Sequence, residues 1–126
     1  RFAVDAYVRF VREEPLIPAL ASSLTEMFAP AIHNDRIAGL LAHYDFANAQ
    51  TISYFQHRLS EAPKEVAFTL GWVLDHAVSR VDQDAAVAAL TFKTDVLWAQ
   101  LDALWHAYVE GNIPPGAWQP GEGQKS

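Results

Sequence analysis

Apolar residues recur along this chain at steps of three, four and seven, the spacing of helices that bury one face. Residues 1 to about 13 carry that rhythm and stop before Pro15, because a proline pushes its predecessor out of the helical region. A second helix is predicted over about 16–28, with Leu16, Leu20, Leu24, Met27 and Phe28 on one face. Pro30, in FAPAIH, breaks it, and a third helix runs to about 43 with Ile37, Leu40, Leu41 and Tyr44 as its apolar face. HYDFANAQ is a connection in which Asp45 or Asn48 caps the next helix, over about 48–60. Pro63 then suits the first turn of a helix over about 62–78. Ser79 and Asp82 are cap candidates for a long last helix ending near Gly111. No alternating run of strand length stands out, and no internal repeat. The pattern predicts an all-α fold, a mostly antiparallel bundle of about five helices joined by short turns. Residues 1–111 form the bundle, and 112–126, NIPPGAWQPGEGQKS, form a tail too rich in Pro and Gly to be regular.

One position disturbs the pattern. Leu90, Leu97, Leu101, Leu104 and Tyr108 make a stripe on the last helix, and Lys93 falls inside it, three after Leu90 and four before Leu97. Holding an ammonium group away from water costs several kcal/mol unless something compensates it. Asp95 and Asp102 share the helix, but neither is three or four residues from Lys93, so no local ion pair explains it. Either Lys93 snorkels out at the bundle edge, or it faces a cavity that holds an anion. Periodicity does not choose between the two.

Composition narrows the field. Hydrophobic residues are 51% of the 126, enough to bury a core. Nine Lys and Arg against fifteen Asp and Glu leave a net charge of −6, which argues against nucleic acid or an anionic membrane as partner, since both reward a basic face. Without cysteine there is no disulfide, thiolate metal site or Cys nucleophile in this stretch. No apolar run has the length of a membrane span, and no signal-peptide pattern is present, so a cytoplasmic protein is expected. The chain opens RFAVDAYVRF, without Met and already in helical rhythm, which reads as a cut inside a helix.

Other polar residues sit where apolar ones belong. His33 lies four before Ile37, at the upper end of the third helix's apolar face, and Arg36 lies on its flank one turn from His33. Tyr54 and Arg58 are stacked four apart, and Glu26 sits beside the break that leads to His33. Each has a plain alternative: a hydrogen-bonded core histidine, or an arginine stem covering a tyrosine. Taken together, three cations and a histidine facing one cavity in an acidic protein would form a focused anion site, suited to a small polycarboxylate. A metal site is not expected: no two of the five histidines are four apart, and Glu-x-x-His, which helical di-iron sites use twice, does not occur.

Four blocks in order carry a more specific likeness: RFAVDAYVRFV, ASSLTEMFAPAIHNDRIAGLLAHYDF, YFQHRLSEAPKEV and LTFKTDVLWAQLDALWHAYV. They resemble the pyrroloquinoline-quinone (PQQ) synthases, over nearly the whole chain up to the tail. The resemblance implies a homodimeric helical bundle of the haem-oxygenase and TenA type. It implies an oxidoreductase that closes the last ring of PQQ and oxidises the precursor by several electrons with O2, releasing hydrogen peroxide. Neither metal nor redox cofactor is used; PQQ is the product and O2 the co-substrate. The partners are then a small anionic quinone-like substrate and O2, with no nucleic acid and no membrane. By that resemblance His33, Tyr54 and Arg58 are catalytic, placed around oxygen or peroxide, and Tyr7, Glu26, Arg36 and Lys93 bind substrate. Members of that family are considerably longer, so residues 1–111 are expected to be the C-terminal part of one bundle domain, and inactive alone. Two alternatives stay open: a TenA-like hydrolase, which needs a cysteine absent from this stretch, and a non-catalytic helical interaction module.

Overall fold

A computed structural model describes residues 1–117, which fold into five α-helices and one 3₁₀ segment. They are α1 (Phe2–Glu13), α2 (Leu16–Ala21), the 3₁₀ segment Ser22–Phe28, α3 (Ala29–His43), α4 (Ala49–His76) and α5 (Arg80–Tyr108). Among the described residues there is no strand, and the architecture is a mostly antiparallel all-α bundle. No helix among them is long and apolar enough to cross a membrane.

Local chemistry sets the boundaries. Asn48 starts α4 with a capping box: its side chain accepts from the Gln50 and Thr51 N–H groups, and the Thr51 hydroxyl accepts from the Asn48 N–H. Ser79 starts α5 by accepting from the Asp82 N–H at 3.1 Å, and Asp82 turns its carboxylate back onto the Ser79 hydroxyl at 2.6 Å. Beyond α5, Gly111 takes a φ of +72°, a left-handed turn that stops the helix where a side chain would be strained. Most of the tail, 118–126, lies outside the described residues.

Three predicted elements come out differently. The helix over 16–28 is α-helical only to Ala21 and then tightens to 3₁₀, so its leucines do not form one face. Leu24 is buried, whereas Leu16, Met27 and Phe28 are exposed. The two helices over 48–60 and 62–78 are one, α4, with Pro63 inside it. Proline denies the Leu59 carbonyl its helical donor and crowds that turn. The turn survives because Ala62, beside it, is fully buried, so tertiary packing overrides the break. Finally, the large-residue stripe of α5 is not its core face. Leu97, Leu101, Leu104 and Tyr108 are all exposed, and Ala86, Ala89 and Val96 are buried instead. Small side chains let helices approach closely, so α5 packs inward along its alanines.

The core therefore runs through Ala21, Val73, Ala77, Ala86 and Ala89, flanked by Phe10, Ile17, Leu20 and Trp72. α1 lies against α2 and α5, with Phe10 stacked on Phe92 at 4.4 Å between ring centroids. The 3₁₀ segment is the hub: it touches α2, α3, α4 and α5.

Candidate functional site

Two clusters form on either end of that hub. At one end stands Ser22, wholly buried. Its hydroxyl donates to the Ala19 carbonyl at 2.7 Å, which leaves its lone pairs for the Tyr7 hydroxyl at 3.2 Å. Tyr7 is thus the donor, anchored by its tip. Its ring face lies under Lys93, whose Nζ sits 3.1 Å from the ring centroid. That contact answers the question Lys93 raises. The residue lies four after Ala89 and three before Val96, on the packed face of α5, half-buried. The quadrupole of Tyr7 compensates the ammonium, which pairs with no carboxylate among the described residues, an interaction that typically contributes about 0.5–2 kcal/mol.

At the other end stands Glu26, one turn beyond Ser22. Its carboxylate accepts from Arg58 Nη2 at 3.4 Å, and Glu65 accepts from the same nitrogen at 2.8 Å. The Arg58 side chain is only 19% exposed, so the two carboxylates offset its desolvation. The Arg58 bond, chiefly, holds the Glu65 carboxyl below the usual carboxylate range, and Glu65 in turn raises Arg58. The shift on Glu65 stabilises the fold above the ordinary glutamate pKa and is lost as pH falls through the lowered one.

His33, on the first turns of α3, completes this end. It is buried, at 8% exposure, and its Nδ1 meets no hydrogen-bond partner among the described residues. Phe55 lies 5.5 Å away and Tyr54 6.4 Å away, edge-on, between ring centroids. A buried polar atom without a partner costs about 1–3 kcal/mol, so this is an expensive place to keep an imidazole for packing alone.

The structure thus brings together His33 with Tyr54, Arg58 with Glu26, and Lys93 with Tyr7. Ser22 and Glu26 are four residues apart on the 3₁₀ segment, about 8 Å at 2.0 Å rise per residue, and so link the two ends. Arg36 stands apart: it is exposed, and no ion pair holds it among the described residues. Tyr54 is 63% exposed. Two residues escaped the sequence reading. Glu65 is seven after Arg58, but the break expected at Pro63 put the two on different helices. Ser22, in an Ala-Ser-Ser run, carries no signal at all. Among the described residues no cluster of three or more His, Asp or Glu side chains comes together.

This chain is 68% identical over 123 residues to a pyrroloquinoline-quinone synthase of Ruegeria pomeroyi. It is 69% identical over 124 residues to one of Rhizobium rhizogenes, and 67% over 124 to one of Rhizobium meliloti. Each likeness covers 98% of this chain but 51%, 50% and 48% of the relative, so the chain spans about half the length of these curated relatives. The family model described as TENA/THI-4/PQQC matches residues 1–103, most of the helical framework. A helical bundle matched over that length belongs to the TENA/THI-4/PQQC family.

Proposed function

We propose that this chain contributes part of the active site of a pyrroloquinoline-quinone synthase. The reaction would be the final ring closure of PQQ biosynthesis and oxidation of the quinone precursor by O2. Each O2 takes up an electron pair and two protons and leaves as hydrogen peroxide. Residues 1–111 would belong to one bundle domain, working as a homodimer at full family length without metal or redox cofactor. The names of the relatives, at 67–69% identity, support a role in pyrroloquinoline-quinone synthesis.

The observation that carries the placement of the site is His33, buried with a free Nδ1 beside Tyr54. Such a buried nitrogen gives or takes a proton with no group among the described residues competing for it, which suits the protonation of reduced oxygen. Tyr54 would add a hydroxyl and Arg58 a fixed positive charge where anionic oxygen develops. Lys93 would stabilise substrate carboxylates and the negative charge that builds as protons leave carbon. Tyr7 and Glu26 would support or line that space, and Arg36 would reach an outer carboxylate with its guanidinium fork.

The test uses protein of full family length. His33→Ala should bind PQQ within about threefold of wild type, yet slow single-turnover oxidation by about 10²–10⁴, the usual range for a positioned acid or base. Wild-type turnover in that variant would remove His33, and with it this placement of the chemistry.

A further inference from the structure

We propose that Glu65 is a positioning residue for Arg58: it grips one guanidinium nitrogen during folding, so that the opposite side of the group stands ready for an anionic ligand. This rests on the reading of Arg58 as a ligand-facing cation.

The argument starts from the donors. A guanidinium carries five N–H donors, two on each Nη and one on Nε. Both carboxylate contacts of Arg58 leave from Nη2, to Glu65 at 2.8 Å and to Glu26 at 3.4 Å. Both Nη2 hydrogens are thereby engaged, while Nη1 and Nε meet no acceptor among the described residues. The two holds are unequal. The Glu65 bond has the length of a good charge-assisted contact, and the Glu26 bond is at the loose end of the range. Glu65 also rides on the same helix, two turns beyond Arg58, so the grip does not depend on how two elements dock. A free arginine would lose its rotamer freedom only when a ligand arrived, at the expense of affinity. One already gripped has lost it beforehand. Glu65 itself is 57% exposed on its side chain, so it adds nothing to the core, and its place is explained by Arg58 alone.

PQQ is the probe, titrated into protein of full family length and followed by affinity and by the absorption band of bound PQQ at saturation. Arg58→Gln should weaken binding by about tenfold or more and shift the band. Glu65→Gln should weaken it by about three- to tenfold and shift the band the same way, with only a small fall in the thermal melt, as for an exposed ion pair. The double variant should bind no more weakly than Arg58→Gln, because Glu65 acts only through Arg58. If Arg58→Gln behaves so but Glu65→Gln binds PQQ as wild type does, or more tightly, or if the two losses add in full, Glu65 is a bystander or a competitor and the proposal falls alone. If wild type does not bind PQQ, or Arg58→Gln binds like wild type, the ligand-facing reading of Arg58 falls and takes the proposal with it.

Discussion

Lys93 is a cation placed on a packing face and compensated by an aromatic ring instead of an acid. The two contributions oppose each other. Removing the charge relieves its desolvation but forfeits the contact with Tyr7. Lys93→Met, which keeps the apolar stem, should therefore change stability by less than about 1 kcal/mol. PQQ affinity or turnover should fall by tenfold or more, since one preorganised electrostatic contact is typically worth about 3–4 kcal/mol in rate. Thermal melts and PQQ titration on one preparation read both. Normal affinity and normal single turnover in that variant would mean that Lys93 only packs. Tyr7 divides the same way. Tyr7→Phe keeps the ring under Lys93 and loses the bond to Ser22, at a cost of about 1 kcal/mol. Tyr7→Leu loses both, and should resemble Lys93→Met in ligand affinity.

Helix α4 shows what an element can hide. Pro63 interrupts its hydrogen bonding between Arg58 and Glu65, yet the helix runs on. Interior proline costs a helix about 3 kcal/mol relative to alanine. Pro63 is exposed, so Pro63→Ala should restore the donor to the Leu59 carbonyl and raise stability by about 1–3 kcal/mol in denaturant titrations. A fall in stability would show instead that the bundle packs against a bend that alanine straightens. The caps, by contrast, were legible. Each helix start had two candidates, Asp45 or Asn48 and Ser79 or Asp82, and the structure uses Asn48 and Ser79, whose side chains bond their own backbone, a local effect that needs no partner. Gly111 marks the stop by another local effect, its freedom to take a positive φ. Pro63 misled because its local penalty was outweighed by the burial of Ala62, which no window of sequence displays. The facing of α5 misled for a related reason. The helix carries an apolar stripe of large residues and another of alanines, and periodicity does not say which of two apolar stripes meets a neighbour. That Lys93 needed compensation was legible, but Tyr7, 86 residues earlier, became its partner only through the docking of α1 on α5.

For the molecule as a whole, the surface is too large for its mass. A self-contained protein of 14.0 kDa exposes about 6,700 Å², whereas this chain exposes 9282 Å². Much of the excess is apolar. On α5 alone Leu97, Trp98, Leu101, Leu104, Trp105 and Tyr108 stand in solvent. Burying a large apolar side chain contributes about 1.5–3 kcal/mol, so covering these six is worth on the order of 10 kcal/mol, as much as the net stability of an ordinary domain. The relatives are about twice as long as this chain. We expect the sequence they carry beyond the matched stretch to close over this face. Acrylamide quenching of Trp98 checks the idea, with every other tryptophan of the protein changed to Phe. In this chain alone the indole, 68% exposed, should be quenched almost as freely as a model indole. In protein of full family length, quenching should drop several-fold and stay low on dilution, because cover by the same polypeptide does not depend on concentration. Protection that disappears on dilution would assign the face to a second copy of the protein. Equal quenching in both lengths would leave this apolar face bare at full length and would sink the expectation that the longer sequence covers it.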